Sequence, residues 1–430
     1  MLELEDLPNK RASTRANGKF ILMADVARFY PSIYTHSIPW ALHGKAHAKA
    51  RKHDKTLAGN EIDTLIRNCQ DQQTMGIPVG PDTSLVIAEL VLAQIDRVLT
   101  KQRIKGLRYV DDYELICQTE DEALKARSIL QGELHAFELN LGPAKTRIER
   151  LPTSLRDPWL SELRRFPLRQ RRWDNEKVLL AFFDRAFDLA ATHPDQGVLK
   201  YSAARISKMK LGHHDLILAE DLLMQCARVE AGSLAYALAA MLKYPCRDKN
   251  HEKSRQRFMT EIIQEHAPQR HSSEVAWALW AMLAHEFRIN KGVSSLVAEM
   301  NDSVCALLLL HARAKGLVSD STCLDALRRD LDSESLYGSQ WMLAYEAARK
   351  GWFRFRGSSD FIAADPNFAL LRTGGVSFYD TTKTVIKRHA PITDLLSEDE
   401  SDEVDEYISR IARSYEEDDW WSDEDDDVTE

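Results

Sequence analysis

The sequence predicts an α+β unit, an antiparallel sheet with packed helices, followed by an all-α helical-repeat-like unit and an acidic, mostly disordered tail. Three observations predict it. Short strand-like apolar runs occur only within residues 1–150, interleaved with helical periodicities. From about 170 onward the apolar spacing is almost wholly that of amphipathic helices. Residues 398–430 hold 17 Asp or Glu against only Arg410 and Arg413, a composition that does not bury a core. At 430 residues the chain exceeds what one hydrophobic core organises.

The first strand is "KFILMADV", an apolar run ending at Asp25 and followed five residues later by Tyr30. Next comes "HGKAHAKARKHDK", residues 43–55, a basic stretch suited either to tracking a phosphate backbone or to lying solvated. In "QTMGIPVGPDTSLVIAEL", residues 73–90, Gly76, Pro78, Gly80 and Pro81 make a sharply turned loop running into a long helix. Glycines there permit close backbone approach to a nucleotide or a template, and Asp82, Thr83 or Ser84 is placed to cap the helix. "GLRYVDDYELICQ" reads as a β-hairpin with Asp111 and Asp112 at its bend. Helical periodicity resumes in "DEALKARSILQGELHAFEL", and "LNLGPAKTRIE" then offers Lys145 after a turn.

Proline-containing "LPTSLRDPW" opens a linker over 151–169. Helical segments such as "KVLLAFFDRAFDLAAT" and "SSEVAWALWAMLAHEF" fill 170–356, at a loose spacing that fits a HEAT-like solenoid or a bundle. Their alanine and aromatic stripes are expected in the core. Residues 357–390 read as irregular, closing a helical unit of 170–390. The tail, 391–430, has room for one short helix near Val404–Ser414.

Net charge is −9, but residues 398–430 account for −15, leaving the remainder at +6 and compatible with a nucleic-acid partner. Six scattered cysteines without a CxxC pair argue for reduced thiols and against zinc or a disulfide framework, and the histidines of 43–55 lack metal-ligand partners. With no apolar leader and no membrane-length run, a cytoplasmic protein without membrane contact is expected.

One carboxylate at a strand end and two in a neighbouring hairpin form an all-oxygen site. Such a site suits Mg²⁺, with Mn²⁺ as a substitute. A pair of such ions activates a 3′-hydroxyl and stabilises leaving pyrophosphate.

Over residues 19–150 the order of elements resembles the palm of reverse transcriptases. Asp25 with "FYPSIYTHSIPWAL" looks like polymerase motif A, "GIPVGPDTS" like motif B, "YVDD" like motif C and "LNLGPAKT" like motif D. The resemblance implies RNA-directed DNA polymerase activity on dNTPs, with an RNA template and a DNA product. It implies that Asp25, Asp111 and Asp112, with the Val26 carbonyl, hold the metals. Tyr30 would be the aromatic gate against a 2′-hydroxyl, Gly76, Pro78 and Gly80 would line the nucleotide, and Lys145 would donate a proton to pyrophosphate. Family members carry fingers upstream of motif A, whereas 24 residues precede Asp25 here. The fingers are therefore expected from an upstream extension or a protein partner, or else the palm serves as a non-catalytic scaffold. Val79 stands where the family commonly has Gln, which relaxes template dependence and opens template-independent synthesis. A palm followed by a long α-helical domain resembles the bacterial defence-associated and abortive-infection reverse transcriptases, which act against phage.

Overall fold

Strand β1, Phe20–Asp25, sits inside a sheet rather than at its edge, and its sequence explains why. Ile21 and Leu22 point to opposite faces and both are fully buried, the pattern of a strand covered on both sides. A computed structural model of the chain describes residues 6–384, apart from 167, 169–175, 195, 210, 212–214, 247, 319–326, 328–330 and 353–359. The chain divides after Pro158 into two units. The tail at 391–430, with its expected short helix, lies outside the described residues.

In the first unit, β1 is followed by the short helices α2 (Phe29–Ser32), α3 (Ser37–His43), α4 (Lys45–Ala50) and α5 (Ala58–Asn68), then the long α6 (Asp82–Lys101). The hairpin β2 (Lys105–Tyr109) and β3 (Asp112–Cys117), helix α7 (Glu120–Ala136) and β4 (Arg147–Arg150) complete it. The strands form one antiparallel sheet in the order β2-β3-β1-β4, so the chain runs β-α-β-β-α-β with both long helices in crossovers. Helix α6 buries Ser84, Ala88, Val91, Leu92, Ile95 and Leu99, one stripe at helical spacing. Helix α7 starts on Thr119, whose hydroxyl accepts from the Glu122 N–H, and buries Ala123, Ala126, Leu130 and Leu134. These stripes pack with Leu22, Ala24, Tyr113 and Leu115.

The opposite sheet face is handled differently. Glu114, buried there, receives Arg11 and Arg15 of α1 (Leu7–Arg15), each at 2.6 Å. Two guanidiniums on one carboxylate satisfy its oxygens, which a buried charge requires.

In the second unit, helices Val198–Lys208, Leu234–Lys243, Ser272–Ala284, Ser303–Ala314 and Trp341–Arg349 pack each on the next. Asp215–Val229, Lys249–His266 and Lys291–Glu299 flank this row. Row members are apolar nearly all round: "LAYALAAMLK" buries seven of its ten residues. Alanines 237, 239, 240, 278 and 281 are buried, whereas Trp277 and Trp280 are only partly covered. Two expectations change. Within the expected linker, Pro158–Arg164 is helical and buries Trp159, Leu160 and Leu163. Within the irregular-looking 357–390, Asp360 and Asp365 cap the helices Phe361–Ala364 and Pro366–Thr373. Among the described residues no helix is long and apolar enough to cross a membrane.

Candidate active site

Asp25, the last residue of β1, and Asp112, the first of β3, are Cα partners in the antiparallel register. Residues so opposed hold their Cβ atoms about 4.5–5.5 Å apart, and like charges there repel. Alternation from the buried pair Ala24 and Tyr113 puts both acids on the face away from α6 and α7. The expectation that both hairpin acids sit at the bend is corrected by one residue. With Tyr109 paired to Asp112, the turn consists of Val110 and Asp111, and Asp112 already belongs to the strand. The Val26 N–H donates to the Asp111 carbonyl at 3.3 Å, which turns the Val26 carbonyl toward the same bend.

Val110 has φ 51°, a left-handed conformation that a β-branched side chain rarely adopts. Arg108 holds it there. Its guanidinium donates to the Val110 carbonyl at 2.7 Å while bridging Glu89 and Asp96 of α6, each with a closest contact of 2.7 Å. Strain of this kind persists only where the surroundings fix it, and here it aims Asp111.

Gly142 closes the site from the other side. Its N–H donates to the Asp25 carbonyl at 2.7 Å, and a Cβ there would lie 2.8 Å from Asp25 Oδ2. Only glycine lets this turn pass so close to the carboxylate. The turn delivers Lys145, whose Nζ is 3.3 Å from Asp25 Oδ1. That hydrogen bond and the Asp25 charge push the Lys145 ammonium up, keeping it protonated.

Tyr30 follows in α2, half-buried, and its phenol is pushed up by burial, then by the charges of Asp111 and Glu89. The glycine-rich loop is stitched beside it. Gly76 N–H donates to Ile33 O at 2.8 Å, and Ile77 N–H donates to Tyr30 O at 3.0 Å. Gly76 has φ +83°, and a Cβ there would meet the Pro31 carbonyl at 3.1 Å. Ile77 anchors the loop in the core, leaving Pro78, Val79 and Gly80 exposed. The expected capping of α6 by Asp82, Thr83 or Ser84 does not occur: Pro81 holds the cap position and no side-chain bond caps the helix. In the basic stretch, Lys45 and Lys49 lie over the Trp40 ring at 4.1 and 5.1 Å, so two of its cations serve packing.

Neither a family model nor a curated protein matches this chain.

The donors are all oxygens, the chemistry Mg²⁺ prefers. Burial, then the charges of Asp111 and Asp25, push the Asp112 carboxyl up to about 6. Asp111 is raised by burial first and by Asp25 among the charges. Among the described residues these three acids do not gather one oxygen each within 4.8 Å; His266, His271 and Glu274 do. Concentrated negative charge on oxygen ligands fits divalent cations shared among three carboxylates.

This electrostatics has a measurable consequence. A carboxyl bound more tightly to its proton in the folded state than in the unfolded one, where 3.8 is usual, costs stability as pH rises from about 4 through 6. Asp112 is exposed, so solvent screening leaves about 1 kcal/mol of that cost. In EDTA, Asp112→Asn is expected to raise the urea midpoint at pH 7.5 and to match the parent below pH 4. Equal midpoints at pH 7.5 contradict the crowding.

The sequence pointed to the acids, Tyr30, Lys145 and the loop but missed Arg108, Glu89 and Gly142. Gly142 had a signal, a glycine just before the Lys145 turn. Arg108 carried none until the sheet register was known.

Proposed function

We propose that this chain is an Mg²⁺-dependent nucleotidyltransferase that adds dNTPs to a nucleic-acid end, of the reverse-transcriptase type, and that it serves bacterial antiphage defence. The observation that carries the reading is the cross-strand pairing of Asp25 with Asp112, with Asp111 at the adjoining turn. Asp25, Asp111, Asp112 and the Val26 carbonyl would hold the metal ions, which would supply Lewis acidity for phosphoryl transfer. The chain's own residues do the rest. Arg108 fixes the turn, so that Asp111 is placed before substrate arrives. Tyr30, packed at 5.4 Å against Phe29, offers a neutral ring beside Asp111 as the floor under the sugar. Lys145, protonated and solvent-facing, is positioned to give a proton to departing pyrophosphate.

The test is incorporation of labelled dNTPs and rNTPs with Mg²⁺, with and without RNA template, by the chain as purified from its host with any bound partner. Incorporation of dNTPs in preference to rNTPs is expected. Tyr30→Ala is expected to narrow that preference by about tenfold or more, the scale of a lost steric contact in a pocket. Absence of Mg²⁺-dependent dNTP incorporation overturns the reading.

A further inference from the structure

We propose a second metal site, in the helical unit: a Zn²⁺ ion held by His266, His271 and Glu274. His266 ends the helix Lys249–His266, His271 sits at the cap position of Ser272–Ala284, and Glu274 lies in that helix's first turn. The intervening turn is closed by its backbone. The N–H groups of Gln269 and His271 both donate to the His266 carbonyl at 3.2 Å, and Arg270 adopts φ 56°. This brings the two imidazoles together with Nδ1 atoms 3.0 Å apart, and with Glu274 the three ligand atoms all lie within 4.8 Å of one another.

The spacing of the two imidazoles is close to what zinc requires. Tetrahedral coordination with Zn–N bonds of about 2.0–2.1 Å sets neighbouring ligand atoms about 3.3 Å apart. The imidazole pair needs to open by a few tenths of an ångström, and the Glu274 carboxylate, within 4.8 Å of both nitrogens, turns in by a side-chain rotation. Two nitrogens facing each other share at most one proton, whereas a cation takes both lone pairs. Two imidazoles and one carboxylate are a donor set for a borderline ion rather than for Mg²⁺, and three protein ligands leave a position open to water. His271 is exposed, so an ion enters from solvent without rearrangement of the fold. Bound there, it cross-links the ends of two helices that pack against each other. The proposal is independent of the polymerase reading, since it uses no residue of the acid site.

The test uses the full chain with Asp25→Asn, Asp111→Asn and Asp112→Asn, which silences the acid site. The metal-free protein is titrated calorimetrically with Zn²⁺ alone, and in parallel with Co²⁺ followed by visible absorption. One Zn²⁺ per chain is expected, unaffected by millimolar Mg²⁺, with the absorption bands of a nitrogen-ligated, low-coordinate Co²⁺. His271→Ala, at an exposed position, is expected to weaken Zn²⁺ binding at least about tenfold, the loss of one of three ligands. His266→Ala combined with His271→Ala should abolish the 1:1 event while far-ultraviolet circular dichroism stays unchanged. Absence of stoichiometric binding, or binding that survives His271→Ala undiminished, overturns the site.

Discussion

Asp25→Asn is expected to lower Mg²⁺-dependent dNTP incorporation by about a thousandfold or more, the scale on which losing one electrostatic stabiliser of a transferring phosphoryl group is felt. The substitution keeps size and shape but removes the charge that faces Asp112 across the sheet and holds Lys145 at 3.3 Å. The fold is not expected to suffer. Asp25 is one source of the repulsion that crowds Asp112 and Asp111, so removing it leaves the unit equally or more stable in EDTA. Lost incorporation together with a retained or raised urea midpoint is thus the signature of a chemical role. Incorporation within tenfold of the parent excludes Asp25 from metal binding. Gly142→Ala offers a second approach to the same atom, since its Cβ would press on Asp25 Oδ2 without changing any charge.

Arg255→Met is expected to destabilise the helical unit by about 3–5 kcal/mol, the cost of leaving a buried charge without its partner. Arg255 is fully buried in the helix Lys249–His266 and Glu220 nearly so in Asp215–Val229. Two guanidinium nitrogens meet the two carboxylate oxygens, the Nε contact being 3.0 Å, and a third donates to the Tyr244 carbonyl at 2.9 Å. His251 Nε2 lies 2.7 Å from the same Glu220. One side chain thereby ties two helices to the chain between them. Replacing both partners, Arg255→Met with Glu220→Leu, should recover most of the loss, because no uncompensated charge then stays inside. Denaturant midpoints of the single and double variants measure this. A single variant within about 1 kcal/mol of the parent, the size of an ordinary surface pair, refutes the burial argument.

What was legible in the sequence follows from where apolar residues had to go. β1, the hairpin, α6 and α7 each bury a stripe or an unbroken run, and such patterns survive without knowledge of neighbours. β4, "RIER", escaped notice as a strand because it lies at the sheet edge and carries three charges in four residues. Helix α1 was equally silent, since it docks through Arg11 and Arg15 on a buried glutamate rather than through an apolar face. The hairpin bend was misplaced by one residue because turn chemistry disfavours Val at a left-handed position, and only the reach of Arg108 from the strand to α6 explains it. The acids of the candidate site were legible by type and order. Their pairing across the sheet depends on register, which no local pattern carries.

The grip of Arg108 has a mechanical consequence. Glu89 and Asp96 lie seven residues apart, about two turns of α6, and the same guanidinium holds both together with the Val110 carbonyl. The hairpin tip and the middle of α6 therefore travel as one body. Since α6 begins at Asp82, past the exposed Val79 and Gly80, this one body reaches from the end of that loop to the turn that carries Asp111.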